Sequence, residues 1–424
     1  MKLTIKKTEK LEGEILIPSS KSHTIRAVVF ASLAEGTSKI IRPLESEDTL
    51  AAYDACRTLG AEITKEGDAW IVKGFDKKPK NPGKVLDMKN SGTSLRLISS
   101  VVALGDFEVE LDGDESLRTR PMQPLLTALN KLGAEALSVK NNGKCPIKIK
   151  GPLIGGKTEV SGISSQFVSS LLIISPLLKL GSTIEVIGVN EAPYINVTLH
   201  WMDEQKIKYE KKDDLTYFKI KGNQQYTHFE KIIPADWSSA AFPICAAVIT
   251  NSNVLVKGLD INDVQGDKGI INILMKMGAN ITIEKDGIRV KGGSLKGYMI
   301  DLNSMPDALP ALSVLACFAE GETILRNVSQ ARIKETDRIK AMATELRKMG
   351  ADVEEFPDGM IIRKSKLKGV KVRGYKDHRI VMALSLAGLA SEGKTQITTA
   401  EAINVTFPSF VDSMKKLGAQ LELT

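Results

Sequence analysis

The sequence predicts an α+β chain with α/β-like alternation, six copies of one βαβαββ unit grouped three and three into two domains. Three observations predict it. Polar clusters open apolar, small-residue helical stretches at Ser20-Lys21-Ser22, Ser91-Gly92-Thr93, Ser164-Ser165-Gln166, Asp236-Trp237-Ser238, Asp307-Ala308-Leu309 and His378-Arg379-Ile380, in steps of 71, 73, 72, 71 and 71 residues. Helix ends recur at Leu59-Gly60-Ala61, Leu132-Gly133-Ala134, Met277-Gly278-Ala279, Met349-Gly350-Ala351 and Leu417-Gly418-Ala419, in steps of 73, 145, 72 and 68. The step of 145 is two periods, and the missing glycine falls near Lys206-Ile207. Finally, 424 residues exceed one ordinary hydrophobic core.

Each unit parses in the same order. A short strand (Gly13 to Ile17, Lys84 to Met88, Lys296 to Leu302) leads into the first helix, which stops at a glycine such as Gly36, Gly105, Gly181 or Gly321. A β-rich stretch follows, as in Gly181 to Val189 and Gly321 to Val328. The second helix is amphipathic, with Ile339, Met342, Leu346 and Met349 on one side. Its glycine end feeds two alternating strands around a turn, as in 279–283 and 287–290. The last copy stops short after Gly418, and the spare strand 2–5 is expected to complete its hairpin. The domains are then 19–231, and 1–18 with 232–424, hinged near Pro18 and Pro234.

Composition excludes several classes of function. Apolar residues are 42% and charged residues 26%, the mix of a soluble globular chain, so disorder, collagen and coiled coil are out. The longest apolar run, Phe167 to Leu180, is broken by Ser175, Pro176 and Lys179, and no apolar segment follows the lysines of 1–10, so neither a membrane span nor a signal peptide is expected. Cys56, Cys145, Cys245 and Cys317 lie far apart without metal-type spacing and read as reduced structural thiols of a cytoplasmic protein. Lys plus Arg exceed Asp plus Glu by 58 to 51, which suits anionic ligands, while 5% aromatics counts against base stacking and hence nucleic acid.

A helix N-terminus leaves unpaired N–H groups and about half a positive charge, so it attracts anions. Ser, Asp and Asn at such places are also ordinary N-caps, and for a single position that reading wins more often. It does not explain the cations at the same places. Lys21 and Arg26 flank the first start, with Ser22 and Arg26 on one face. Arg96 follows Asn90-Ser91-Gly92-Thr93, an entrance small enough for a ligand to approach the backbone. Arg120 begins the second helix of unit two, Arg332, Lys334, Glu335, Asp337 and Arg338 crowd the equivalent point of unit five, and Arg379 opens unit six. Several cations at equivalent helix starts favour highly charged anions, phosphate monoesters best, since each carries roughly −1.5 to −2 charges. No phosphate loop, dinucleotide glycine pattern, zinc cluster or nucleophilic triad is present. Acid–base chemistry between bound anions remains, with Asp307 and Glu335 the obvious carboxylates, each equally readable as a cap or ion-pair partner.

At these residues the sequence resembles the 5-enolpyruvylshikimate-3-phosphate synthases. Matching stretches are Pro18-Ser19-Ser20-Lys21-Ser22, Asn90 to Arg96, Arg118 to Met122, Ser164 to Phe167, Pro193-Tyr194, Pro306-Asp307-Ala308, Arg332 to Arg338 and Asp377-His378-Arg379, in family order over essentially the whole chain. The resemblance implies two domains of three βαβαββ units each, an inside-out barrel with the active site in the interdomain cleft. It implies transfer of the enolpyruvyl group of phosphoenolpyruvate to the 5-hydroxyl of shikimate 3-phosphate, with phosphate released through a tetrahedral intermediate, in the shikimate pathway to chorismate and aromatic amino acids. Carried over by position, Lys21, Ser22, Arg26, Ser164, Ser165, Gln166, Asp307 and Lys334 should bind shikimate 3-phosphate. Lys21, Gly92, Arg120, Gln166, Arg338 and Arg379 should hold phosphoenolpyruvate. Asp307 looks like the base for the 5-hydroxyl, and Glu335 and Lys21 like the groups exchanging protons with the enol carbon and the phosphate-bearing oxygen. No metal or cofactor is implied; the partners are the two small substrates, and a cytoplasmic monomer is expected.

Three positions depart from the family pattern. Val405 precedes Thr406-Phe407-Pro408 where lysine is usual, so one cation of the phosphoenolpyruvate site is missing or supplied from elsewhere. Leu97 stands for a proline, and Gln330 for an asparagine that contacts the shikimate phosphate. Among rivals, a UDP-N-acetylglucosamine enolpyruvyl transferase would need a cysteine in the loop Gly113 to Arg118, which has none. An RNA-end cyclase would need a nucleotide site and a catalytic histidine, and a repeat scaffold would not need Asp307, Glu335 and the cations.

Overall fold

In the computed structural model, which describes all 424 residues, the repeat becomes six four-stranded sheets. Each complete unit orders its strands first-second-fourth-third. In the unit that starts at Gly156–Ser161, that strand runs parallel to Ser182–Ile187, which pairs antiparallel with Tyr217–Ile220, itself antiparallel to Tyr209–Lys211. The same pattern recurs with Leu86–Asp87, Glu108–Asp112, Ile147–Lys150 and Glu135–Ser138. The parallel pair needs a crossover, and the first helix supplies it.

The chain divides into two compact units, Met1–Pro18 with Pro234–Thr424, and Ser19–Ile233. In the first, the helices Trp237–Ile249, Leu309–Ala316 and His378–Ala390 pack pairwise against one another and are buried on nearly every side. That explains their sequences, apolar and small all round rather than striped. Around them sit the sheets and amphipathic second helices, whose inner residues Ile339, Met342, Leu346 and Met349 are fully buried. In the other unit, Gly92–Val102 packs against both Lys21–Leu33 and Ser165–Ile174. No helix is long and apolar enough to cross a membrane. All four cysteines are buried, and burial pushes the thiols of Cys56, Cys145 and Cys317 up to about 12.

The strand Lys2–Lys6 lies centrally in the sixth sheet, between Lys394–Thr398 and Leu421–Leu423, and so completes the last hairpin. The strand before the first helix requires a correction. Glu12–Leu16 precedes Lys21–Leu33 in sequence but runs parallel to Asn253–Lys257, in the sheet of the fourth unit. Its place in the first sheet is taken by Glu230–Ile232, parallel to Thr37–Ile41. Each crossing strand stays in the compact unit that the chain is leaving, in the sheet of that unit's first repeat rather than its last, and the helix after it opens the other compact unit. For that reason residues 232 and 233 group with 19–231 rather than with the segment after them: Ile233 N–H donates to the Ile41 carbonyl at 2.9 Å.

The glycines of the helix-end series all take positive φ: Gly60 113°, Gly133 108°, Gly278 105°, Gly350 94° and Gly418 96°. A left-handed residue there lets the last turn close on its own carbonyls. Lys206, at the gap in the series, adopts the same hand at φ 57°.

Candidate active site

Most of the polar helix starts are caps. Ser20 accepts from His23 N–H, Ser91 from Ser94 N–H, Ser164 from Gln166 N–H, Asp236 from Ser238 N–H and Asp377 from Arg379 N–H. Unit five differs: Pro306–Ala308 form a 3-10 turn ahead of Leu309–Ala316, with no side-chain cap. Asp307 is thereby released from capping, and its oxygens go to two arginines instead.

Those arginines form the densest charge cluster of the unit 1–18 with 234–424. Arg338 is 1% exposed and meets three carboxylates: Nε to Asp377 Oδ2 at 2.8 Å, Nη1 to Asp307 Oδ1 at 2.7 Å and Nη2 to Glu335 Oε2 at 2.6 Å. Arg379 Nη2 reaches Asp307 Oδ2 at 2.8 Å and Ser238 Oγ at 2.8 Å. Burial alone would raise the Asp307 carboxyl, but Arg379, Arg338 and Lys334 outweigh burial and the repulsion of Glu335 and hold it well below the usual carboxylate range. Burial would likewise ease the proton off Arg338, and Asp377, Glu335 and Asp307 keep it charged. Asp307, Lys334, Glu335, Arg338 and Arg379 are thus brought together. Asp377, which caps one helix while it grips Arg338, belongs to the cluster and was missed; the Asp-His-Arg stretch was its signal.

The unit 19–233 assembles the other expected residues in two groups. Lys21 Nζ pairs with Asp48 Oδ2 at 2.8 Å, and Asp48 is buried in the first turn of Glu47–Thr58. Arg26 is buried among neutral acceptors: Nε donates to Thr198 Oγ1 at 2.8 Å, Nη1 to the Ser22 carbonyl at 3.1 Å, and Nη2 to the Tyr194 carbonyl at 3.1 Å and Ser169 Oγ at 3.3 Å. Burial pushes its guanidinium down to about 10. These bonds hold the helix start that presents Lys21 and Ser22. Ser165 Oγ donates to Glu191 Oε2 at 2.7 Å, a buried carboxylate that no sequence pattern singled out.

The second group gathers at Gly92. Arg96 Nη1 donates to Gln166 Oε1 at 2.6 Å, and Gln166 Nε2 to Thr93 Oγ1 at 2.9 Å. Arg120 Nη2 donates to Asn90 Oδ1 at 2.6 Å. A Cβ on Gly92 would stand 3.0 Å from Arg120 Nη1 and 3.3 Å from Arg96 Nη1, so glycine is what lets two guanidiniums converge beside this helix start. Arg96, noted only as a nearby cation, orients Gln166. The placement of Arg120 is corrected: it has extended backbone after the 3-10 turn Leu117–Thr119, and the second helix begins at Gln123. Pro121 bars the residue before it from helical backbone.

Of the departures, Val405 ends the 3-10 segment Ala400–Val405 and is buried, as is Leu97 inside Gly92–Val102. Gln330 is buried, and its amide donates to the Asn303 carbonyl at 3.2 Å. In sum, the unit 1–18 with 234–424 gathers Asp307, Glu335 and Asp377 around two arginines, and both units carry cations at small-residue helix starts.

Comparison with known proteins bears on this arrangement. A family model described as EPSP synthase (3-phosphoshikimate 1-carboxyvinyltransferase) matches residues 5–414. The chain is 51% identical over 421 residues to the 3-phosphoshikimate 1-carboxyvinyltransferase of Acetivibrio thermocellus, covering 99% of each. It is 47% identical over 429 residues to the protein of that name from Methanocaldococcus jannaschii, again 99% of each. A solved EPSP synthase from Acinetobacter baumannii superposes with a TM-score of 0.84 at 29% identity, over 100% of this chain and 99% of that one.

Proposed function

The chain belongs to the EPSP synthase family, and we propose on that premise that it transfers the enolpyruvyl group of phosphoenolpyruvate to the 5-hydroxyl of shikimate 3-phosphate and releases phosphate, a step of the shikimate pathway. The observation that carries the residue assignment is Asp307, the one polar helix start that leaves its helix uncapped and turns its carboxylate to Arg338 and Arg379.

The chemistry divides as follows. Asp307 takes the 5-hydroxyl proton while that oxygen bonds to C2 of phosphoenolpyruvate and a proton is added at C3, which gives a tetrahedral intermediate. Loss of a C3 proton restores the methylene as the C2–O bond to phosphate breaks, and a proton on the bridging oxygen eases its departure. Glu335 and Lys21 serve these proton exchanges. Lys21, Ser22, Arg26, Ser164, Ser165, Gln166, Asp307 and Lys334 bind shikimate 3-phosphate; Lys21, Gly92, Arg120, Gln166, Arg338 and Arg379 bind phosphoenolpyruvate. The depressed Asp307 carboxyl is a weak base on its own. Substrate phosphates that draw charge from Lys334, Arg338 and Arg379 raise its affinity for a proton when the hydroxyl arrives. The same cations offset the repulsion between two polyanions. The reading also makes the protein a cytoplasmic monomer that works on small molecules.

The test is phosphate release. It should require both substrates, fail when UDP-N-acetylglucosamine replaces shikimate 3-phosphate, and fall by roughly 10²-fold or more in kcat for Asp307→Asn. Release with the nucleotide sugar, or an Asp307→Asn variant at full rate, overturns the reading.

A further inference from the structure

Outside the substrate-binding set, Glu345 is a carboxylate that is wholly buried and fully engaged. Glu345 lies on the helix Arg338–Lys348, seven residues after Arg338 and therefore on the same face two turns on. Its Oε1 accepts from Tyr375 Oη at 2.7 Å, its Oε2 from Arg373 N–H at 3.1 Å, and Lys348 Nζ lies 2.8 and 2.9 Å from the two oxygens. Arg373 and Tyr375 belong to the loop that delivers Asp377 and Arg379. The loop needs holding. Tyr375 and Lys376 are consecutive residues at φ 57° and 56°, a hand that a Cβ disfavours. Among its other ties are Asp377 N–H to the Gly374 carbonyl at 3.0 Å and Lys376 N–H to Thr399 Oγ1 at 3.0 Å. The helix thus grips the segment 373–379 at both ends, Glu345 at Arg373 and Tyr375, and Arg338 at Asp377.

We propose that Glu345, acting through Tyr375 and Arg373, is a positioning residue that holds this loop so that Arg379 reaches Asp307 and the phosphoenolpyruvate. The role rests on the transfer reaction proposed above. Arg379 is assigned to phosphoenolpyruvate directly and bears on shikimate 3-phosphate only through Asp307, which Arg338 also holds, so loosening its loop acts on one substrate more than on the other.

Steady-state kinetics on the full-length chain test it, with each substrate varied at saturating levels of the other. Tyr375→Phe removes one donor to Glu345 and keeps the ring and the carboxylate. It should raise the KM for phosphoenolpyruvate roughly tenfold and leave that for shikimate 3-phosphate within about twofold. Glu345→Gln, which keeps an acceptor, should shift it less than Glu345→Ala. A merely structural role would lower kcat with the folded fraction and move neither KM. Unshifted KM values in Tyr375→Phe overturn the role even if Glu345→Ala fails to fold. No turnover by the unsubstituted protein overturns the reaction, and this role with it.

Discussion

Lys206 closes the helix Ala192–Glu204 at φ 57°, where five other helices of the chain use glycine. Its N–H bonds the Asp203 carbonyl at 2.9 Å, and Ile207 N–H bonds that of Met202 at 3.0 Å. Gly60 and Ala61 make the equivalent bonds to Arg57 and Cys56. The lysine keeps the motif and accepts the strain of a left-handed residue with a Cβ, on the order of 1 kcal/mol, part of which a glycine would return as unfolded-chain entropy. Lys206→Gly should therefore raise stability by about 0.5 kcal/mol, read as a higher urea midpoint at unchanged slope; a lower midpoint refutes the argument. The gap was legible as a missing glycine because the period located it. At the helix starts the same local reasoning reached its limit. Ser91, Ser164 and Asp236 cap their helices as their residue types suggest, and Asp307 does not: it lies inside the turn Pro306–Ala308 rather than at a cap position, and its oxygens go to arginines 31 and 72 positions away.

Among elements, the strand Glu230–Ile232 is tied to the helix Ala192–Glu204 through one carboxylate. Glu204 pairs with Lys231 Nζ and, at 3.2 Å, with His200 Nε2, while the Lys231 ammonium also sits 4.7 Å above the Trp201 ring. Burial would raise the Glu204 carboxyl, yet His200 and Lys231 take it down from 4.5 to about 2. A carboxyl lowered in the folded state contributes stability that is complete above its unfolded value and is lost as pH falls through the folded one. The unit 19–233 should thus lose stability between about pH 4.5 and 2, and more steeply with Glu204 than with Glu204→Gln. Urea unfolding at pH 5 and pH 3 measures this; parallel losses in the two proteins would exclude the pair as a source. The amphipathic helices were readable from residue order alone. The tether was not, since Lys231 gains its partner only once the crossing strand has joined the first sheet.

For the whole molecule, the exchange of crossing strands sets where the chain can be cut. Residues 19–233 carry the strand that completes the first sheet, whereas 1–18 carry strands of the fourth and sixth sheets. A fragment 19–233 should fold with one cooperative thermal transition. A fragment 19–226 should not, because it leaves Thr37–Ile41 without its parallel neighbour and exposes that edge. Circular dichroism melts of the two fragments decide; equal cooperativity would mean that the exchanged strand contributes little.

Sequence alone determined the sixfold period, the helix ends, the completion of the last hairpin by the first strand, and the residue types at each helix start. All of these follow from spacing along the covalent chain, where a period of about seventy residues survives substitution. Tertiary structure decided which sheet Glu12–Leu16 and Glu230–Ile232 enter, which polar starts are caps, and which carboxylates share Arg338. Strand pairing and charge partition are long-range competitions, settled by which groups fold to within a few ångströms, and Glu191, Glu345 and Asp377 acquire their roles only there.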